Sequence, residues 1–448
     1  MPEFAHPEVQ AVRRSSHFAA EAAALNALDV VDYRRQMALH RTVLEAAAQV
    51  AWRDGADAKG ELSRYAEANP QARDYARFRA YTELHQSWHG WTEHAKSGRL
   101  GDDDVDPIRY RYHLYVQLRA SQQIGRIASL AKETGGGLYL DLPLGVHPDG
   151  YDAWRERESF LGGCSAGAPP DDLFAGGQDW GFRPLHPERI RERGYDYVIA
   201  CIRHQLSSAG ALRIDHVMGL ERIFCVPYGL GGAHGLYVHY RSEELYAILT
   251  LESHRHRAWV IGEDLGTVPD VVRSAMNRHN LLRMYVGQFS MRHDPNWAID
   301  PPPAQAVASL NTHDTPTFTA FWEAHDVDLR LKLGHLLPKD EAQERESRRW
   351  LKEHVINFLR QRQLLGQESG TADVYAAIVS FLASSEAQLV LLNLDDLLGE
   401  IRPQNVPGTT DEQPNWRHKA KVAEEALFQP GRLTQILEDV ARRRGTSS

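Results

Sequence analysis

Three short segments of the sequence carry carboxylates in a setting that suits chemistry. They occupy residues 212–220, 260–266 and 309–314. In each, a brief apolar run leads to an acid, Asp215, Glu263 or Asp314, and a loop or helix signal follows. This pattern is typical of the end of a parallel strand in a β/α barrel, where the active sites of such barrels lie. Three acids at one barrel mouth suit the cleavage of a glycosidic bond, because one carboxylate can attack the sugar while another donates a proton.

The composition excludes several classes of protein. The chain has 448 residues and 42% apolar content, enough for one large core in a barrel with insertions. Its 51 basic and 60 acidic residues are mixed along the chain, so we expect neither nucleic acid nor a membrane as a partner. The three cysteines, Cys164, Cys201 and Cys225, lie in no metal-binding spacing and are predicted to be reduced thiols. The sequence shows no signal pattern and no apolar run of roughly 20 residues, which predicts a cytoplasmic protein.

The chain divides by pattern near residue 137. Residues 1–137 are predicted to form a mainly helical segment, a subdomain of the kind inserted into barrels. Its helices are predicted at residues 19–29, 33–51 and 70–97, and from Pro107 to the glycines at 135–137. Residues 138–448 are predicted to be the catalytic barrel portion, strands three to eight, with an active-site loop at 162–186.

Strand and helix patterns alternate after residue 137, as in a β/α fold. Six barrel strands are predicted, at residues 138–144, 211–215, 259–263, 284–289, 308–311 and 389–394. Residues 223–226 are a further apolar piece, interpreted as a loop excursion rather than a barrel strand. Amphipathic helices are predicted at 341–366 and 371–384.

Four further motifs occur in a fixed order with the three acidic segments. They are residues 139–144 (Tyr-Leu-Asp-Leu-Pro-Leu), 147–154, 167–181 and 405–417. Together these motifs resemble the amylomaltases, the 4-α-glucanotransferases of glycoside hydrolase family 77, which is related to the α-amylases. The most specific is 167–181, similar to the long active-site loop of that family. The resemblance extends from about residue 33 to the end, and it implies a TIM-type (β/α)8 barrel with helical insertions.

The resemblance also implies roles for the three acids. Asp215 would be the nucleophile that forms a covalent glucosyl-enzyme, and Glu263 would protonate the leaving oxygen and later deprotonate the incoming hydroxyl. Asp314 would bind sugar hydroxyls most strongly in the transition state. The double role of Glu263 favours a pKa raised by burial and by nearby aspartates. Arg213 lies two residues before Asp215, on the same strand face, and can hold that acid ionised.

The implied activity transfers α-1,4-glucan segments to the 4-OH of glucose or of another glucan, by a retaining double displacement. Maltooligosaccharides and other α-1,4-glucans are the expected substrates, with glucose as an acceptor, and no cofactor or metal ion is expected. A loop at 162–186 that covers the site would favour transfer over hydrolysis by excluding water. The substrate-binding candidates are Arg213, His216, His313, Asp141, Asp171, Gln178, Trp180, Asn415 and Trp416.

Two strands of a closed barrel have no counterpart in the sequence. The family barrel needs eight strands, and the opening strand with its neighbouring segment is not found. We therefore expect an incomplete barrel whose six strands leave two open edges, an arrangement that is prone to aggregation. Either the chain is the downstream part of a longer protein, or Met1 is a misassigned start, or another polypeptide completes the barrel in trans. An α-glucan hydrolase and an inactive glucan-binding fragment are the alternative functions.

Overall fold

A computed structural model describes residues 2–53, 57–170, 176–294, 296–427 and 429–445, without the side chain of Asp57. The chain forms two compact units, Met1–Val260 and Ile261–Ser448. This division follows spatial contacts, and the boundary predicted at residue 137 stays a prediction. Within the described residues, no helix is long and apolar enough to cross a membrane.

Helices make up the beginning of the first unit, as the sequence predicts. Its α-helices are α1 (Pro7–Arg13), α2 (Ser16–Asn26), α3 (Tyr33–Ala51), α4 (Asp57–Ala68), α5 (Pro70–His85), α6 (Glu93–Lys96), α7 (Pro107–Glu133), α8 (Tyr151–Arg155), α9 (Pro187–Glu192), α10 (Asp196–Leu206) and α11 (Ser242–His256). Helix α7 begins where predicted, because Asp106 accepts a hydrogen bond from the backbone N–H of Arg109 and Pro107 occupies the first helical position. Its residues Leu114 and Tyr115 are fully buried against α3 and α4.

The single helix predicted over 70–97 is wrong. Helix α5 ends at His85, because Gln86 takes a left-handed conformation with φ 57°. A 3₁₀ turn at Trp88–Gly90 and the short helix α6 follow. The break turns Trp88 and Trp91 inward, where they pack with Trp154 in a buried aromatic cluster. Burial of these large side chains therefore outweighs the local helix propensity.

The first unit contains strands of two different sheets. In chain order they are β1 (Leu138–Leu142), β2 (Cys164–Ala168), β3 (Gln178–Asp179), β4 (Ala209–Ile214), β5 (Arg222–Pro227), β6 (Leu236–His239) and β7 (Trp259–Gly262), whose last two residues belong to the second unit. Strands β1 and β4 run parallel, with Asp141 opposite Arg213. At their beginnings the backbones of Gly137 and Gly210 approach so closely that a Cβ on Gly137 would lie 2.7 Å from the Cα of Gly210. Glycine is required there because no larger residue fits.

A separate antiparallel sheet has the order β3–β2–β5–β6. Residues 223–226, interpreted from the sequence as a loop excursion, lie in β5 of this sheet. They are thus outside the barrel sheet, as expected, but they form a strand, because β5 pairs with β2 on one side and with β6 on the other.

The second unit adds three strands and eight α-helices in its described residues. These are β8 (Leu282–Val286), β9 (Ala306–Ser309), β10 (Leu389–Leu391), α12 (Asp270–Arg278), α13 (Phe318–Trp322), α14 (His325–Lys332), α15 (Glu341–Gln361), α16 (Thr371–Ala383), α17 (Leu394–Leu397), α18 (Glu424–Leu427) and α19 (Arg432–Arg443). Helices α15 and α16 confirm the two amphipathic predictions. They bury Phe358 and Ile378 in a core cluster that also contains Phe318 of α13.

The parallel sheet has the strand order β1–β4–β7–β8–β9–β10. All six strands overlap the six predicted ones, and β1 and β10 stand at the two ends of the order. Adjacent strands pair parallel at β7–β8, β8–β9 and β9–β10. The described residues therefore confirm the prediction of an incomplete (β/α)8 barrel with helical insertions. Each of the three predicted catalytic acids follows a different strand of this sheet.

Candidate active site

Arg213 bridges two carboxylates at the end of β4. The residue is 8% exposed. Its Nη1 donates to both carboxylate oxygens of Asp141 at 2.8 Å, and its Nη2 lies 2.9 Å from Oδ1 of Asp215. The parallel register, with Asp141 opposite Arg213, makes this contact possible. One buried cation thus orients both acids and offsets part of their negative charge.

His216, next to Asp215, has a left-handed backbone with φ 46°. This conformation is uncommon for a residue with a side chain, and it places the imidazole edge-on to Trp180, with ring centroids 5.2 Å apart. Burial lowers the pKa of His216, against the opposing effect of the Asp215 carboxylate. The imidazole is therefore neutral at pH 7 and offers one donor and one acceptor.

The predicted active-site loop supplies Trp180 and Gln178 to the same unit. The indole N–H of Trp180 donates to Oε1 of Gln178 at 3.3 Å, and its ring stacks on Phe182 with centroids 6.0 Å apart. The structure thus groups Gln178, Trp180 and His216, three of the residues predicted to bind substrate. Asp171 lies outside the described residues.

Glu263 directly follows β7 and is 9% exposed. Its Oε1 accepts a hydrogen bond from the backbone N–H of Leu265 at 2.6 Å. The next residue, Asp264, is more deeply buried and accepts from the Arg283 Nε at 2.8 Å and from the Met284 N–H at 3.1 Å. Asp264 therefore ties the segment of Glu263 to β8. Asp264 is not among the predicted site residues, and its position next to Glu263 is the only sequence signal for it.

Asp314 lies in the loop that joins β9 to α13. The Nδ2 of Asn405 donates to its Oδ1 at 2.6 Å, and Nε2 of His313 lies 3.2 Å from its Oδ2. The ring of Trp416 lies 5.2 Å from that of His313. The structure therefore brings together His313, Asp314 and Trp416, three of the predicted site residues. It adds Asn405 to this group, while the roles of all four residues stay predictions. The motif at 405–417 contained Asn405, but no role was assigned to it.

The predicted binding residue Asn415 makes its described contacts within the closing segment 405–417. Its Oδ1 accepts from the N–H of Val406 at 3.1 Å, and its Nδ2 donates to the hydroxyl of Thr409 at 2.9 Å. These bonds fold the segment that presents Asn405 and Trp416. A role of Asn415 in binding sugar stays a prediction.

The chain is similar in sequence to one known family of proteins. The sequence model of glycoside hydrolase family 77, described as 4-alpha-glucanotransferase, matches residues 4–424. The chain belongs to this family. The match begins at residue 4, so the similarity extends further towards the N-terminus than the predicted start near residue 33. The family assignment itself is confirmed.

Relatives and solved structures of the family are similar over most of this chain. The 4-alpha-glucanotransferase of Mycobacterium tuberculosis is 35% identical over 381 residues, covering 82% of this chain and 52% of the relative. That of Haemophilus influenzae is 34% identical, covering 69% of this chain and 46% of the relative. The chain thus spans about half the length of these curated relatives.

Among solved structures, the amylomaltase from Corynebacterium glutamicum superposes with a TM-score of 0.83 at 26% identity, covering 100% of this chain and 64% of that one. The amylomaltase from Streptococcus agalactiae, solved in complex with acarbose, superposes with a TM-score of 0.75 at 20% identity. The superposition covers 94% of this chain and 81% of that one, and it shows that the fold is shared.

The second unit of this family member also contains a cavity of about 380 Å³ beside Asp314. Its lining combines the polar Asp314 and Asn405 with the apolar Leu329, Ile401 and Val406. Such a mixed lining offers hydrogen bonds together with an apolar surface to a small ligand. Among the residues that the structure describes, no group of three or more His, Cys, Asp or Glu side chains could hold a metal ion.

Proposed function

We propose that this protein is a 4-α-glucanotransferase that moves α-1,4-glucan segments to the 4-OH of glucose or another glucan. The observation that carries the proposal is the position of the three acids in a chain of this family. Asp215 and Glu263 each directly follow a strand of the barrel sheet, and Asp314 lies in the loop after a third. Ends of barrel strands are where β/α barrels place their catalytic groups.

The reaction proceeds in two steps. In the first, a carboxylate oxygen of Asp215 forms a bond to the anomeric carbon of a glucose unit, while the bond to the leaving oxygen breaks and Glu263 gives that oxygen its proton. In the second, Glu263 removes the proton of the incoming 4-OH, which attacks the same carbon and releases Asp215. Two inversions retain the α configuration.

The contacts around Asp215 support its role as the nucleophile. The 2.9 Å contact with Arg213 aims one carboxylate oxygen and leaves the other for attack. Asp141 shares the same guanidinium, so one positive charge offsets part of the negative charge of the two carboxylates across the strand pair. The neutral His216 and the indole of Trp180 add a hydrogen-bonding group and an apolar face for the sugar.

The contacts around Asp314 support a role in binding sugar hydroxyls. Asn405 holds one carboxylate oxygen, and His313 approaches the other. The exposed indole of Trp416, 49% accessible, offers a flat apolar surface beside them. These groups fit maltodextrin or glycogen chains as substrates. We also propose that the protein acts in the cytoplasm.

Maltotriose distinguishes transfer from hydrolysis. A transferase converts it to glucose and a ladder of longer maltodextrins, with little net gain in reducing ends. Products are separated by anion-exchange chromatography and reducing ends are counted in the same samples, with Asp215→Asn as the inactive control. A steady rise in reducing ends without longer products would show a hydrolase, and binding without turnover would show an inactive glucan-binding protein.

The exposure of the terminal strands supports a further segment that completes the sheet. All four residues of β9 are buried, whereas β10 is only partly buried and Tyr139 of β1 is 38% exposed. Parallel strands are normally covered on both faces. We propose that additional strands, in cis or in trans, cover β1 and β10. Supplying the upstream segment of a relative should raise both solubility and transfer rate; unchanged values of both would contradict this.

A further inference from the structure

One carboxylate holds both ends of the loop that carries Asp314. The loop, residues 312–317, is flanked by Asn311 after β9 and by Phe318 at the start of α13. Oδ2 of Asp396 accepts from Nδ2 of Asn311 at 2.8 Å, and Oδ1 accepts from the N–H of Phe318 at 2.6 Å. Asp396 belongs to α17 and is 6% exposed. A single buried side chain thus fixes the separation of the two loop ends.

The amide of Asn311 is itself held in one orientation. Its Oδ1 accepts from Nδ2 of Asn393 at 3.2 Å, while its Nδ2 also lies 3.3 Å from the carbonyl of Pro316 within the loop. Gln288 donates to that same carbonyl at 3.1 Å. Because each of these groups has a defined donor or acceptor role, the network stabilises the observed arrangement of the loop.

The segment that begins with α17 also holds the partner of Asp314. Beyond Asp396, the backbone carbonyl of Glu400 accepts from the hydroxyl of Thr317 at 2.6 Å. Five residues later, Asn405 donates to Asp314. One short stretch of chain therefore contacts the loop at its ends and at its acidic side chain.

Helix capping accounts for only one of the two hydrogen bonds of Asp396, the one from the Phe318 N–H at the start of α13. The N-cap residue of α13 is Thr317, whose hydroxyl already accepts from the N–H of Ala320 at 3.4 Å. A buried carboxylate is costly to keep, and burial raises the pKa of Asp396 to about 7. An apolar residue would fill the same space without this cost, but it would leave Asn311 and the Phe318 N–H without their acceptor.

We propose that Asp396 is a positioning residue for Asp314: through Asn311 and Phe318 it holds the 312–317 loop in the shape that presents the Asp314 carboxylate to substrate. This inference rests on the proposed function of Asp314. Asp396 does not touch the sugar in this proposal, and its effect on the reaction is transmitted by the loop.

The test compares Asp396→Asn with the exchanged pair Asn311→Asp/Asp396→Asn. In the single variant, the new Nδ2 faces Nδ2 of Asn311, so two donors oppose each other. The exchanged pair restores one donor and one acceptor between positions 311 and 396 and keeps the acceptor for Phe318; the Pro316 carbonyl loses its contact with position 311 and keeps the bond from Gln288. The matched control is Asp439→Asn, since Asp439 in α19 is a carboxylate of the same unit that accepts from Ser380 and Arg443.

We expect Asp396→Asn to lower kcat by about 10- to 100-fold, with KM within about twofold, because Asp314 acts most strongly in the transition state. The exchanged pair should recover most of this loss, and Asp439→Asn should keep the normal kcat. A kcat unchanged in folded Asp396→Asn, or equally low in the exchanged pair when that pair is folded, would overturn the proposal.

Hydrogen exchange separates this proposal from the proposed function. Amide exchange of a peptide covering 311–318 is measured by mass spectrometry on the whole chain, whether or not it turns over glucan. The amides should exchange faster in Asp396→Asn than in Asp439→Asn, and the exchanged pair should restore protection. Equal exchange in the two single variants would overturn the positioning role, even if the chain proves to be an active transferase. An inactive chain with the expected exchange pattern would instead contradict only the proposed function.

Discussion

Asp215, directly after β4, and Asp314, in the loop after β9, are held by different kinds of contact. In the first unit, Asp215 contacts a charged guanidinium two residues away on its own strand. In the second unit, Asp314 contacts the neutral amide of Asn405, which is 91 residues away in the chain. The nucleophile candidate thus depends on local strand geometry, and the candidate for transition-state stabilisation depends on a distant segment. Changes in the closing segment should therefore affect Asp314 and leave Asp215 in place.

Charge distinguishes the two positions as well. The positive charge of Arg213 favours the ionised forms of Asp215 and Asp141, which suits a group that must attack as a carboxylate. Asn405 orients Asp314 through a neutral amide and so adds no positive charge of its own beside a sugar that becomes positive in the transition state. We expect substitutions at these positions to differ accordingly in size and in pH dependence.

The largest effect is expected at the nucleophile. Asp215→Asn should lower turnover of maltotriose by about 10⁴-fold or more, because an amide cannot form the glycosyl intermediate. Glu263→Gln should instead accumulate a glycosyl adduct from a substrate with an activated leaving group. Mass spectrometry of peptides should find the adduct on Asp215. Asp196→Asn, a change in an exposed ion pair with Arg193, is the control and should leave turnover normal. An adduct on another residue would contradict the assignment.

The second effect concerns the guanidinium of Arg213, which contacts both Asp141 and Asp215. Arg213→Gln should lower kcat by about 10²- to 10³-fold, because Asp141 and Asp215 lose the cation between them. Arg203→Gln is the matched change, since Arg203 pairs with the buried Glu252 in the same unit. It should reduce stability without a comparable loss of kcat. Similar kinetic losses in both variants would show that Arg213 acts through stability alone.

The third effect concerns the stability that the buried Glu400 contributes just before the closing segment. Glu400 is 3% exposed, and its carboxylate accepts from the N–H groups of Ile401 and Arg402 and from the Arg402 guanidinium. These interactions, against the opposing effect of burial, lower the pKa of Glu400 from 4.5 to about 2. A lowered folded-state pKa contributes stability above the unfolded value, and this contribution is lost as the pH falls through the folded value.

Glu400→Gln should therefore reduce the free energy of unfolding at pH 7 by up to about 3 kcal/mol. The difference from the native chain should disappear as the pH falls from 4.5 towards 2. Urea unfolding followed by tryptophan fluorescence measures it. Glu386→Gln, at an exposed position, should change stability little. A difference between Glu400→Gln and the native chain that is independent of pH would rule out the electrostatic explanation.

The smallest effect is expected at Asn405, whose neutral side-chain amide contacts Asp314. Asn405→Asp keeps the shape but brings a second carboxylate within about hydrogen-bond distance of Asp314. We expect the rate at neutral pH to fall about tenfold and to recover partly at lower pH, as one proton neutralises the pair. Asn405→Ala removes the donor without adding charge, and its smaller loss should be independent of pH. Identical pH profiles of the two variants would show that charge at this position is unimportant.

The strands that carry the acids could be found from the sequence because each is a local signal. A short apolar run ending in Asp215 or Glu263 marks a buried strand, and the strands observed at Ala209–Ile214 and Trp259–Gly262 overlap the predicted ranges. Helix α7 was equally predictable, because its cap and its stop are encoded by neighbouring residues. Strand β5 was missed as a strand, since only its pairing with β2 and β6 distinguishes it from an apolar loop.

By itself, the sequence determined the family, the positions of the six barrel strands, the candidate acids that follow three of them, and the shortage of barrel strands. These properties follow from side-chain chemistry and from patterns within a few residues. The tertiary structure alone decided which distant residues contact Asp314 and the ends of its loop. Asp396 meets Asn311 from 85 residues away, and Asn405 meets Asp314 from 91. A carboxylate accepts a hydrogen bond from any suitable donor, so only the packing of distant segments selects which donor reaches it.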